Sequence, residues 1–338
     1  QLVMGDVNDL TLAKFKLTAD ASENINLSEI TVSDNTSSAA TGTLRNIKLF
    51  VGDVQVGQTV SAFSNTITTT TYANAVFSGL SLNIPRNTSK VLVVKANVSP
   101  YAEGAVTAST HTFALLVDKG SAVESITAKG VSSGSSITGA SLDYFASGGS
   151  TDSDRTGSQM TAYATKISIA FAGDTPSGAA STGDDATVAK FVVTNSANAG
   201  GYSATLKYMN FAIAQSGTSK AAATAVELKV YKDSISTANL VATTSWPAAQ
   251  SVNIGDTLIT NGTSNATNFI DTEIAAGTSK TFIVTLDTNN IEISADTTAE
   301  TVGVGLASDD VAWRDGVITS DITSVNSLPI SAKSLTYN

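Results

Sequence analysis

Apolar and polar residues alternate with period two through nearly every ordered-looking stretch of this chain. Phe15, Leu17 and Ala19 fall on one side of a run whose other side is Lys14, Lys16 and Thr18. Ile47, Leu49 and Val51 oppose Lys48 and Phe50, and Leu92, Val94 and Ala96 oppose Val93 and Lys95. Further on, Ala189, Phe191 and Val193 alternate with Lys190, Val192 and Thr194, and Phe282, Val284 and Leu286 flank Ile283 and Thr285. This is the pattern of strands with one buried face, and the Val, Ile, Thr, Phe and Tyr that fill it suit a pleated backbone. Gly, Asn, Asp and Ser gather between the runs, as at 33–38 and 51–54, and predict turns there. Leu206, Tyr208, Asn210 and Ala212 likewise alternate with Lys207, Met209, Phe211 and Ile213. One run is less clean: Ile25, Leu27, Glu29 and Thr31 interleave with Asn26, Ser28, Ile30 and Val32. Residues 219–228 fit a turn or two of helix or an Ala-rich loop entering a strand. The expectation is an all-β protein.

The pattern is stated twice. Asp9-Leu10-Thr11-Leu12-Ala13-Lys14-Phe15-Lys16-Leu17-Thr18 returns as Asp185-Ala186-Thr187-Val188-Ala189-Lys190-Phe191-Val192-Val193-Thr194. Ile47-Lys48-Leu49-Phe50 returns as Leu228-Lys229-Val230-Tyr231, and Thr88-Ser89-Lys90 as Thr278-Ser279-Lys280. The order is kept and the separation grows, so the second copy carries an insertion, which we place in the Asn-, Gly-, Ser- and Thr-rich residues 234–268. A duplicated β-rich unit predicts strung modules rather than one catalytic body. The Gly/Ser-rich residues 147–158 read as a linker. The expected domains are therefore 1–158 and 159–338, with residues 159–171 as the first strand of the second unit. On that reading unit one lacks a counterpart of this leading strand, and residues 327–338 form a strand with no later module to join.

Composition narrows the function. Of 338 residues, only 14% are charged, against about 25% in an ordinary domain, with Ser, Thr, Ala and Gly in their place. Such a neutral, hydroxyl-rich surface points to an exported protein, and the chain as given shows no leader. The net charge of −10 and the lack of any basic run argue against nucleic acid. With no cysteine, disulfides, thiolate metal sites and cysteine nucleophiles are excluded. No apolar run reaches the ~18 residues of a membrane-spanning helix.

Candidate chemistry is sparse. His111, the one histidine, cannot make a His-based zinc site. Ser109 and Asp118 lie near it in sequence, but spacing along a strand does not assemble a Ser-His-Asp set, and a surface-facing strand histidine is the expectation. Asp152 with Asp154, Asp184 with Asp185, and Asp309 with Asp310 could lend carboxylates to calcium. None has the spacing of a calcium loop, and turn residues capping strand ends explain them. Trp246 and Trp313 offer broad faces for sugar stacking, but core or loop packing is the expected role. Phosphate-binding Gly-rich loops are absent. Asn-x-Ser/Thr sequons at Asn26, Asn35, Asn87, Asn97, Asn261 and Asn265 permit surface glycans without indicating them. The chain is not expected to be an enzyme, and no cofactor, catalytic or metal residue is assigned.

The unit carried by Ala13-Lys14-Phe15 with Thr88-Ser89-Lys90, and again by Ala189-Lys190-Phe191 with Thr278-Ser279-Lys280, resembles the tandem Ig-like β-sandwich repeats of bacterial cell-surface and S-layer-like proteins. The resemblance implies two Ig-like β-sandwich domains and an extracellular, cell-surface role. The expected function is a structural subunit of an extracellular filament or surface layer whose partners are copies of itself. Polymerisation would run head to tail by donor-strand complementation. Residues 327–338 would be donated to the edge beside residues 12–18, or residues 1–8 would serve as the arm. The alternatives are an adhesin or carbohydrate-binding module using the loops of 234–268, and a segment of a longer array.

Overall fold

The computed structural model describes residues 2–5, 8–36, 38–64, 72–115, 125–137, 155–198, 201–216, 226–246, 256–260, 272–289, 291 and 299–337. Among these the protein is all-β: strands joined by turns and a few 3-10 turns, with no α-helix. No helix is long and apolar enough to cross a membrane. The chain divides into two compact units, Gln1–Ala164 and Thr165–Asn338.

Unit one is a sandwich of two sheets. The first has the order Leu10–Thr18, Ser89–Val98, Leu44–Val51, Val54–Ala62, all antiparallel. The second runs Leu2–Val3, Met160–Tyr163, Ser109–Leu115, Ile25–Asn35, Ile126–Gly130, Ser136–Ile137. Tyr72–Phe77 and Leu82–Ile84 also pair with Ile25–Asn35, and Arg155–Thr156 with Ser109–Leu115. The core lies between the sheets, where Phe63, beside the first sheet, meets Phe113 of the second with ring centroids 5.8 Å apart.

Unit two has the same plan. Its first sheet is Ile167–Phe171, Ala186–Asn195, Ser279–Leu286, Val226–Lys232, Leu240–Trp246. Its second is Gly178–Ala179, Ile330–Tyr337, Glu300–Leu306, Ala204–Ser216, Asp256–Thr260, with Thr272–Ile274 and Val311–Arg314 also on Ala204–Ser216. Phe191 and Phe211 join the two layers at 5.9 Å.

The recurring sequence landmarks are the residues at which strands meet. Phe15 pairs with Leu92 and Phe191 with Phe282; both ladders carry a bulge at the same step, Thr11 to Ala13 and Thr187 to Ala189. Both close on a hydroxyl pair, Thr18 to Ser89 at 2.9 Å and Thr194 to Ser279 at 2.8 Å. Asp9 and Asp185 both sit at positive φ, 57° and 49°. Each holds the lysine of the second landmark, Lys48 at 2.7 Å and Lys229 at 2.9 Å.

Three readings are corrected. Residues 159–171 do not form one strand: Met160–Tyr163 closes unit one, antiparallel to Ser109–Leu115 and parallel to Leu2–Val3, and Ile167–Phe171 opens unit two. Alternation runs unbroken through the join, so it hides the change of partner. Residues 327–338 do not lack a partner either. Ile330–Tyr337 is seated in its own unit, antiparallel to Glu300–Leu306 and parallel to Gly178–Ala179. Close approach there depends on glycine: a Cβ on Gly305 would stand 2.5 Å from the Ile330 carbonyl oxygen, and one on Gly303 2.9 Å from that of Lys333. Finally, the less clean run at 25–32 and the alternation read at 206–213 are both bulged strands, at Leu27 to Glu29 and at Leu206 to Tyr208. A bulge shifts the side-chain phase by one residue, so Leu27 faces the core with Ile30 and Val32, and Leu206 with Met209, Phe211 and Ile213. The 219–228 stretch lies outside the described residues up to 225; Val226 onward is strand.

Candidate functional site

Beyond the bulge at Leu27 to Glu29, Asp34 lies inward, in phase with Ile30 and Val32. Ser109, His111 and Phe113 share the inward face of the neighbouring strand. The result is a bonded series: Asp34 Oδ2 to His111 Nδ1 at 2.7 Å, and His111 Nε2 to Ser109 Oγ at 3.0 Å. The Thr112 N–H donates to the other oxygen of Asp34 at 3.2 Å. His111 is thus not a surface histidine; it is 0% exposed, Asp34 1% and Ser109 8%. Asp118, the sequence neighbour considered earlier, lies outside the described residues. Sequence reasoning missed Asp34 because its partner His111 lies 77 residues further along the chain.

The bonding order is that of an acyl-transfer relay, in which the serine must reach a substrate carbonyl beside donors for the developing oxyanion. With all three groups buried, and the Phe113 ring stacked on His111 at 6.5 Å, the geometry lacks the open face that such a substrate requires. What it does achieve is mutual satisfaction: each buried polar group finds a partner, which removes most of the penalty of its burial. Burial pushes the Asp34 carboxyl up from the ordinary aspartate range, and the bonds from His111 and Thr112 pull against that shift. Unit two fills the places of Asp34 and His111 with apolar side chains, and that of Ser109 with the buried Glu300. Asp34 pairs with Phe113 as Ile213 pairs with Val304, and His111 pairs with Met160 as Val302 pairs with Leu335.

The acidic clusters are committed to structure. Asp185 holds Lys229, and Asp184 accepts from Asn289. Asp310, 3% exposed, accepts from Asn210 at 2.8 Å and from the Ala307 N–H. Asp152 and Asp154 lie outside the described residues. Among the described residues no three His, Asp or Glu side chains converge as a metal site would require. Asp185, and Glu227 after it, push the Lys229 ammonium above the ordinary lysine range. Trp313 is 0% exposed with its indole N–H on the Ser324 carbonyl at 3.3 Å, so it packs the core and offers no sugar platform. Trp246 pairs with Val226 by its backbone, and its side chain lies outside the description. So do residues 247–255 and 261–268 of the candidate adhesin loops, and the sequons at Asn261 and Asn265.

No protein-family model matches this chain. No curated protein matches it either. Among solved structures it is similar to one described as BspA_C_mut, at 9% identity and a TM-score of 0.22 over 98% of this chain and 94% of the other. It is also similar to the C-terminal domain of the Streptococcus agalactiae AgI/II polypeptide BspA, at 10% identity and a TM-score of 0.21 over 100% and 96%. A third is a partial N-terminal region of an enterococcal surface protein, at 8% identity and a TM-score of 0.18 over 100% and 96%. Identities and TM-scores of this size assign neither a family nor an activity.

Proposed function

We propose that the chain is a structural, non-enzymatic part of an extracellular cell-surface protein, built from two copies of one Ig-like module, and that its partners are copies of itself in a filament or surface layer. The observation that carries this reading is the shared frame of the two units. The same ladder, bulge, hydroxyl pair and Asp–Lys clasp occur in both. The residues that recur are those that hold strands together, as expected where the module itself is the product of selection. The one bonded series with the order of a catalytic relay is confined to one unit and buried there. The low-charge, Ser/Thr-rich surface fits life outside the cell.

The test has two parts. Protease shaving of intact cells should release the chain, and purified protein should form ordered fibres or sheets by negative-stain microscopy and sedimentation. Protein that is protected in intact cells removes the location, and protein that stays dispersed at every concentration removes the assembly. Dispersed monomers that bind defined sugars on a glycan array would return the adhesin reading.

A further inference from the structure

The four strands of the first sheet in unit one contain six Lys or Arg residues and no Asp or Glu, in a chain of net charge −10. Alternation puts Lys16, Lys48, Phe50, Val91, Val93 and Lys95 on the side of that sheet that faces away from the core, since Phe15, Ile47, Leu49, Leu92 and Val94 fill the other side. Register makes them neighbours: Lys16 lies opposite Val91, Phe50 opposite Val93 and Lys48 opposite Lys95. The Lys95 Nζ sits 4.6 Å from the centre of the Phe50 ring, and Val91 is 44% exposed. Ser89–Val98 and Leu44–Val51 are each bonded on both sides, so this face does not depend on what lies beside Leu10–Thr18.

Unit two has the same sheet with a different charge. Val192 and Thr285 stand where unit one has Lys16 and Lys95, and Asp287 where it has Asn97. Lys190 is held by Asp174 at 2.5 Å, Lys229 by Asp185 and Glu227, each at 2.9 Å, and Lys280 by Asp233 at 3.3 Å. In unit one Asp9 holds Lys48, and among the described residues Lys16 and Lys95 pair with no carboxylate. Unit two carries 16 Asp or Glu against nine Lys or Arg, unit one 13 against ten. Exposed carboxylates of unit two, Asp309 and Asp321, gather about Tyr208. Burial first, and then the charges of Asp321, Asp309 and Asp310, raise the Tyr208 hydroxyl above the ordinary tyrosine range.

We infer that the lysine-bearing face of unit one is a docking surface, and that its occupant is a second copy of this chain, seated by the carboxylates about Tyr208 in its unit two. This deepens the assembly reading and rests on it. Charge complementarity selects the occupant. Copies of a net-acidic chain repel one another unless opposite charges are sorted onto different surfaces. Here lysines collect on a sheet of one unit and carboxylates on the other unit. Complementary fields speed the encounter and fix its orientation. Phe50, Val91 and Val93, set among the lysines, supply the apolar area of a lasting contact. The two surfaces differ and each copy carries both, so the contact is heterologous, the kind that builds rings or filaments.

Carbodiimide cross-linking of an equal mixture of isotopically light and heavy whole chain, read by mass spectrometry, tests the inference. Mixed light–heavy pairs joining Lys16 or Lys95 to Asp309 or Asp321 are expected. By sedimentation, self-association should weaken several-fold between about 50 mM and about 500 mM salt, as exposed charges are screened. Lys16→Glu, at an exposed side chain, should weaken it several-fold, and Lys16→Glu with Lys95→Glu at least about tenfold. Asp309→Lys with Asp321→Lys should do the same, and the two double variants mixed should associate again, because their charges are exchanged. Association unmoved by the two lysine reversals, or mixed pairs that omit this face, overturns the docking surface and leaves the assembly reading standing. A wild type that stays monomeric at every concentration removes that reading and the docking with it. Monomers that bind polygalacturonate, and lose it with Lys95→Glu, put an anionic polymer on the face in place of a second copy.

Discussion

Phe171 and Phe191 stack with their ring centroids 5.0 Å apart and their planes 24° apart, across the first two strands of unit two. The contact joins the strand that opens the unit to the centre of its core, since Phe191 also meets Phe211 of the opposite sheet. Phe191→Ala should therefore destabilise by about 3–5 kcal/mol, the usual cost of emptying a buried aromatic site. Phe171→Ala, at a half-buried edge, should cost less, about 0.5–1.5 kcal/mol for the ring pair plus the area lost. Urea unfolding of both variants checks the order; equal effects would mean that the opening strand belongs to the core as much as the second strand does.

The Asp34–His111–Ser109 series predicts an asymmetric mutational response. His111→Ala strands the Asp34 carboxylate in the interior and should destabilise by about 3–5 kcal/mol. The double change Asp34→Ile with His111→Val, which copies Ile213 and Val302 of unit two, should be neutral or stabilising by about 1–4 kcal/mol. Denaturant midpoints distinguish these outcomes. A double variant as damaged as His111→Ala would show that the space is not equivalent in the two units.

Acid should expose the same group. The Asp34 pKa is raised by burial, so folding favours its protonated form. The stability it contributes is present in full below the ordinary aspartate pKa and is lost as pH rises through the raised value. Asp34→Asn keeps an acceptor for Thr112 and His111 but does not titrate. The stability of the wild type relative to Asp34→Asn should therefore fall across that window and level off above it. A flat difference between pH 3 and pH 8, followed by chemical denaturation, would contradict the assigned cause.

Glu23 titrates with the opposite sign. Its carboxylate accepts from the Ser133 hydroxyl at 2.5 Å and from the Ser133 and Ser132 N–H groups at 3.0 and 2.7 Å. These bonds, the hydroxyl first, hold its pKa below the ordinary glutamate value. Their contribution is present above that ordinary value and lost as pH falls through the lowered one. Amides 132 and 133 should lose protection in acid, after correction for intrinsic exchange, and Glu23→Gln should flatten the dependence.

Gly305 should control the last strand. Gly305→Ala places a methyl against the Ile330 carbonyl oxygen and should cost about 1–3 kcal/mol by overpacking. Exchange should quicken across Ile330–Tyr337 first. Unchanged protection there would mean that the strand tolerates a shifted seat.

The strands themselves were legible in the residues. Alternation placed Phe15, Ile47, Leu92, Phe191 and Phe282 in cores, and all are buried. The recurring Asp, Lys, Thr and Ser stood out before any contact was known, because each meets a partner far along the chain and both ends of each contact recur. The position of His111 was not legible, because Asp34 reaches it across a separation of 77 residues. The join between units was not legible because Met160–Tyr163 and Ile167–Phe171 alternate alike while pairing with different sheets.

By itself the sequence determined which segments are extended and, away from the bulges, which faces they bury, since side-chain period is a local consequence of the extended backbone. It also determined that one unit is written twice. Tertiary structure alone decided which strand lies beside which, which edge is covered and which polar groups meet in the interior. Those outcomes depend on hydrogen bonds between residues far apart in the chain and on bulges that shift the register by a single residue, and neither leaves a periodic mark along the chain.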